Sequence, residues 1–214
     1  MKSDLKKSDL KKELGTYDAR RGRFDIRTVP PLRYLMVDGH GDPNTTERYR
    51  DALQTIYPVA YAIKFLSKGT LGRDYTVMPL EALWWADDME SFTTARDKSQ
   101  WSWTLLNLLP EWITDEQVDE ARATVARKGG APLLDAIRVE TLDEGLCVQT
   151  LHVGSYDDEA PVLDALHNSF IPESGLRMTG RHHEIYLSDP RRTAPAKLRT
   201  ILRQPVERHV AAGG

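Results

Sequence analysis

The segment Arg181-His-His-Glu-Ile-Tyr-Leu187 holds the residue types best suited to chemistry in this chain. Read as a strand, side chains alternate, so His182, Glu184 and Tyr186 share one face while His183, Ile185 and Leu187 share the other. The apolar pair Ile185 and Leu187 is expected to face a helix, which turns Glu184 and Tyr186 toward the open side of the sheet. A carboxylate beside an aromatic ring in a cleft can neutralise a cationic ligand, or act as a base if its pKa rises. The plainer reading is a solvent-facing strand glutamate. His182-His183-Glu184 does not read as a metal cluster, because neighbouring strand residues point apart.

Aromatic residues give a second signal. Tryptophan occurs at 84, 85, 101, 103 and 112, and four of the five fall within 20 residues. Aromatic walls stack on flat molecules and attract cations through the ring quadrupole. Trp85 shares its strand face with Glu81 and Leu83 while Trp84 points away, so the two cannot both fill one core. Trp101, Trp103 and Leu105 alternate onto one face of a further strand. The plainer reading of any single tryptophan is core filling. Glu159, in Tyr156-Asp-Asp-Glu-Ala-Pro161, falls in the first turn of a helix, where the helix dipole favours a carboxylate without catalytic duty. Asp157 is the expected cap.

These side chains need elements to position them. Strands are expected at Arg33–Asp38, Tyr75–Pro79, Leu80–Ala86, Trp101–Leu109, Ile137–Thr141, Leu146–Val153 and His182–Leu187. A helix capped by Asn44 and Glu47 follows the first strand, and Pro58 predicts two pieces or a kink in it. Thr114-Asp-Glu-Gln117 opens a helix that Gly129 and Gly130 close. Asp157–Phe170 reads as a helix, and a last helix is expected over about 194–204. Asp87 to Gln100 reads as a polar connection. Residues 1–16 repeat Lys-Ser-Asp-Leu-Lys and read as a charged tail or frayed helix.

A weak internal repeat organises these elements. Gly41 precedes Asp51-Ala-Leu53 by ten residues, and Gly154 precedes Asp164-Ala-Leu166 by ten. In both places a strand leads into the glycine and a helix follows it. The expected fold is therefore α+β: two pseudo-symmetric strand–helix–strand–strand modules, at about 31–86 and about 137–190, with a strand and helix inserted over about 87–136. Joined antiparallel sheets would leave a ligand cleft at the join.

Composition bounds the function. Hydrophobic residues make up 40% and charged residues 29% of 214, with a net charge of −3. That balance argues against general attraction to nucleic acid or anionic membranes. The basic end around Arg191, Arg192, Lys197, Arg199, Arg203 and Arg208 reads as a solvated helix face. A lone Cys147 excludes an internal disulfide. No apolar run approaches the roughly 20 residues of a membrane helix, and the start lacks a signal-peptide core, so a cytoplasmic location is expected. Nucleotide-loop and nucleophile-elbow patterns are missing.

Several stretches together resemble the GyrI-like (gyrase-inhibitor-like) small-molecule-binding family, in its stand-alone bacterial branch. They are Tyr34-Leu-Met-Val-Asp-Gly-His-Gly-Asp-Pro-Asn44, Met78-Pro-Leu-Glu-Ala-Leu-Trp-Trp85, Trp103-Thr-Leu-Leu106, Leu151-His-Val-Gly-Ser-Tyr-Asp-Asp-Glu159 and His182-His-Glu-Ile-Tyr-Leu-Ser-Asp-Pro190. Their order and spacing cover about residues 17–209 as a single domain. The resemblance implies paired modules around a cleft that binds flat hydrophobic or cationic aromatic compounds. In related activator domains a glutamate on the motif matched by Glu184 binds such cations. Some stand-alone members hydrolyse the cyclopropane of DNA-alkylating natural products with two glutamates and no metal or cofactor. Glu184 and Glu159 are the catalytic candidates on that basis, with Glu81 a rival for the second carboxylate. The expected ligand-binding set is Glu184, Tyr186, Trp85, Trp103, Trp101, Glu81, Tyr156 and His182. Too few residues precede the first strand for a helix-turn-helix, which disfavours direct nucleic-acid binding. The competing reading is a non-catalytic interaction module such as a DNA gyrase inhibitor.

Overall fold

A computed structural model describes residues 7–86 and 97–209. In chain order the elements begin with β1 (Lys7–Ser8), α1 (Leu10–Glu13), β2 (Asp25–Val29), β3 (Leu32–His40) and α2 (Glu47–Leu66). Next come β4 (Asp74–Tyr75), β5 (Glu81–Trp85), β6 (Ser102–Leu108), α3 (Asp115–Lys128), β7 (Arg138–Leu142) and β8 (Gly145–Val153). The chain finishes with α4 (Ala160–Asp164), α5 (Ile171–Glu173), β9 (Leu176–Met178), β10 (His182–Tyr186) and β11 (Arg199–Arg208). Most of the expected polar connection lies outside the described residues.

One antiparallel sheet carries the fold, in the order β2-β8-β11-β10-β5-β6-β3-β7. Each half is a strand–helix–strand–strand unit: β3, α2, β5, β6 in the first and β8, α4, β10, β11 in the second. The third strand of each unit inserts between the other two, so the halves meet at β5 and β10 with mirrored order, as a twofold relation requires. Each half borrows its outer strand from the other's lead-in: β7 pairs with β3, and β2 pairs with β8.

Three expectations are corrected here. The segment over 194–204 is not a helix: after a single 3-10 turn at Pro195–Lys197 it becomes β11, paired with β8 on one side and β10 on the other. Residues 200–206 are all buried, and a strand buried on both faces shows no period-two alternation, so Leu198, Ile201 and Leu202 mimic a helical stripe. Second, β6 is no insertion; it sits between β5 and β3 and completes the first module. Third, residues 7–16 belong to the packed structure. β1 pairs with β4, and Leu10 is buried with Tyr17 and Ala19, because the lysine-rich repeat carries a leucine at each fifth position.

Helix α2 runs unbroken through Pro58 and is not split into two pieces. Its buried stripe, Ala52, Ile56, Val59, Ala60 and Ile63, spans both sides of the proline, whose ring is exposed. Thr46, without a side-chain capping bond, holds the N-cap position rather than Asn44, which bonds Asp42 instead. Helix α3 packs on α2 and opens with a full capping box between Thr114 and Gln117. In the second module the helical stretch holds a π-turn at Ala165–Phe170 between α4 and α5.

The sheet has two different covers. Helix α2 packs on the face carrying Ala82, Trp84, Trp103 and Leu105 in one half, and Leu166 and Ile171, from the helical stretch after α4, pack on Val148 in the other. Residues 10–20 lie over the opposite face, against Leu83, Ile185 and Ile201. No helix of the described residues is long and apolar enough to cross a membrane.

Candidate functional site

The central strand β10 sends alternate residues to these two covers. Ile185 meets the N-terminal segment, and Glu184 and Tyr186 face the helices, the reverse of the orientation expected from the apolar pair. The reason is that leucines and a tyrosine of residues 10–17 supply a second apolar cover, which makes the helical face the one free to hold polar groups.

On that face the side chains of β5 and β10 form an acidic and aromatic cluster between α2 and α4. The Tyr186 hydroxyl donates to Glu184 Oε2 at 2.7 Å and accepts from Trp84 Nε1 at 3.0 Å. The second carboxylate oxygen, Glu184 Oε1, lies 3.6 Å from His182 Nε2, beyond hydrogen-bond reach. Glu184 retains 14% side-chain exposure. Trp84 stacks on Tyr49 of α2 at 6.3 Å and meets Trp101 edge-on at 5.7 Å. Tyr156, 37% exposed at the mouth of the cluster, meets Tyr186 edge-on at 5.6 Å.

The electrostatics tie two carboxylates to this place. Burial first, and then the charge of Glu184, push the Tyr186 phenol well above its ordinary range, with Glu159 adding to the effect. Tyr156 is pushed up to about 12 by burial, then by Glu159 and Glu184. Tyr49 is raised by burial and Glu184. Glu159 is buried at the start of α4, at 4% exposure. Both carboxylates therefore bear on the same tyrosine pair. The arrangement offers negative charge walled by ring edges, which suits a flat cation, and a carboxylate with one lightly engaged oxygen, which suits proton transfer.

Of the expected site residues, Glu184, Tyr186, His182, Tyr156, Glu159 and Trp101 share this region. Trp103 lies beneath it, fully buried, its ring edge-on to Tyr49 at 5.0 Å and its Nε1 donating to the Gly41 carbonyl at 3.2 Å. Trp85 and Glu81 project from the opposite face. The Arg181 guanidinium covers the Trp85 ring at 3.6 Å. Glu81 is fully buried, accepting from Tyr17 at 2.5 Å and bonded to His183 Nε2 at 2.9 Å. Glu81 and Glu184 therefore cannot act on one small molecule. The strand alternation that separated Trp84 from Trp85 was readable; the choice between them turned on which face the helices cover. Tyr49 and His167 gave no motif-level signal.

The fold agrees with the comparisons. Residues 23–207 match the family described as a GyrI-like small molecule binding domain. An uncharacterized conserved protein from Listeria innocua is 37% identical, with a TM-score of 0.85, over 94% of this chain and 100% of that one. A hydrolase from Listeria innocua is 35% identical, with a TM-score of 0.81, over the same shares. The EcmrR C-terminal domain, at 12% identity and a TM-score of 0.53, covers 87% of this chain and 98% of its own and shares the fold alone. No curated protein sequence matches significantly. The chain belongs to the GyrI-like small-molecule-binding domain family.

Proposed function

We propose that the cluster between α2 and α4 takes up flat hydrophobic or cationic aromatic compounds, and hydrolyses those that carry a strained cyclopropane. The observation that carries this reading is that Glu184 and Glu159 bear on one tyrosine pair, Tyr156 and Tyr186, on the helical face of β10. The description of the 35% identical Listeria innocua protein as a hydrolase supports it.

In the binding step Glu184 supplies charge, and Tyr156, Trp84 and Trp101 supply aromatic contact. In the hydrolytic step Glu184 Oε1 takes a proton from water as the water oxygen bonds to a cyclopropane carbon. The strained C–C bond breaks, and its electron pair moves into the conjugated carbonyl of the substrate, which then accepts the proton. The product is the substrate plus one water. Glu159 orients the attacking water.

The test uses the whole chain. A flat cationic dye should quench tryptophan fluorescence, and a cyclopropane-bearing aromatic should give a ring-opened product heavier by one water in mass spectrometry. Glu184→Gln, with an unchanged circular dichroism spectrum, should abolish turnover and weaken dye binding. Full turnover in that variant overturns the hydrolytic step, and absence of quenching across a dye panel overturns the binding reading.

A further inference from the structure

The π-turn at Ala165–Phe170 places His167 against the cluster. Its ring meets His182 edge-on, with centroids 5.6 Å apart. His167 Nε2 and both ring nitrogens of His182 are buried and have no hydrogen-bond partner among the described residues. Buried polar groups in folded proteins are nearly always paired, so orphaned nitrogens gathered at one place point to a partner that arrives from outside the chain. A π-turn inside a helix is itself a frequent mark of a functional position.

The chemistry of that partner can be narrowed. Burial, and then the neighbouring His182, hold His167 down to about 4, so its imidazole is neutral at neutral pH. A neutral imidazole offers one N–H donor and one acceptor. Glu184, 3.6 Å from His182, repels anions from the same spot. The described residues hold no group of three His, Cys, Asp or Glu side chains arranged for a metal ion. An uncharged group that hydrogen-bonds fits these conditions.

Position adds the rest. His182 precedes Glu184 by two residues on the same face of β10, and His182 Nε2 lies 3.6 Å from Glu184 Oε1, so the imidazole and the carboxylate adjoin. We propose that His167 and His182 form a hydrogen-bonding subsite beside Glu184, which receives a ring carbonyl or phenolic hydroxyl of the aromatic ligand. This rests on the reading that the cluster binds aromatic molecules. In a conjugated substrate an N–H donor on the carbonyl oxygen stabilises the negative charge that oxygen gains.

The test compares two probes of matched size, an anthraquinone and an anthracene carrying the same trimethylammonium side chain, by tryptophan-fluorescence titration. Wild-type protein should bind the anthraquinone about 10-fold more tightly, as expected for a hydrogen-bonded carbonyl over an unpaired one. In His167→Phe, which keeps an aromatic ring, the ratio of the two affinities should fall to about one. Equal binding of both probes by wild type overturns the subsite and leaves the binding cluster standing, as does a preference that survives in the variant. Failure of wild type to bind either probe overturns both readings.

Discussion

His183 and Glu184 are consecutive residues that leave β10 through opposite faces of the sheet. Glu184 enters the cluster beneath the helices. His183 is clamped between Glu81 and Glu144, each at 2.9 Å, and Arg203 closes the far side with a 2.9 Å bond to Glu144. All four side chains are buried, and two negative groups balance two positive ones. A slip of β10 by one residue would put His183 among the aromatic rings and Glu184 against Glu81, so the ion network fixes the register that aims the site carboxylate.

That network predicts how stability depends on pH. Burial lowers the His183 pKa, but Glu144 and Glu81 outweigh it and raise the group to about 9. A raised histidine stabilises fully below its unfolded value near 6.5 and loses that contribution as pH climbs through about 9. Burial raises Glu144, but His183 and Arg203 outweigh it and hold the carboxyl at about 2. Its contribution is present above about 4.5 and is lost as pH falls toward 2. Urea denaturation across pH 3 to 10 should show both limbs. The alkaline limb should disappear in His183→Gln, which should also cost about 3 kcal/mol at pH 7 by leaving buried charge unpaired.

Tyr186→Phe removes one donor and one acceptor together. Glu184 loses its 2.7 Å bond, and the Trp84 indole N–H loses its acceptor in a buried place. The expected cost is about 2 kcal/mol of unfolding free energy, read by urea denaturation. Dye affinity should fall with it, because the Glu184 carboxylate is no longer held in place.

Tyr17→Phe isolates the contribution of the N-terminal cover. The variant keeps the packing against Leu83 and Ile185 and deletes only the 2.5 Å bond to Glu81. A buried carboxylate oxygen then loses its donor, at an expected cost of about 1–3 kcal/mol by urea denaturation. Cleavage by trypsin within residues 7–23 should accelerate accordingly.

Gly39→Ala should be severely destabilising for a purely steric reason. A Cβ built at Gly39 falls on the six-membered ring of Trp103, which is itself fully buried. The expected loss is about 3 kcal/mol or more, seen as a lower midpoint or insoluble protein. Trp103→Phe in the same chain should recover part of the loss by opening space.

The duplicated modules and the shared face of Glu184 and Tyr186 were legible in the sequence because strand–glycine–helix order and strand alternation are local features. Three things were not. β11 is buried on both faces and carries no alternation to read. The orientation of β10 depended on a cover supplied by Leu10, Tyr17 and Ala19, residues set among charges at the opposite end of the chain. His167 reaches the cluster through a π-turn, whose wider winding shifts side chains off the face that a regular helical count assigns. Where contacts were local, residue patterns sufficed; where both sides of an element were covered from afar, they did not.

The bond from Arg203 to the Thr16 carbonyl spans 187 positions, and β11 fills a slot between two strands made before it. Synthesis on the ribosome thus produces the N-terminal cover well before the strand it must close upon. Until Arg203 clears the exit tunnel, the carboxylate of Glu144 lacks its guanidinium, and β8 and β10 have unpaired edges facing each other. A chain cut before Arg199 would leave β8 and β10 without the strand that joins them.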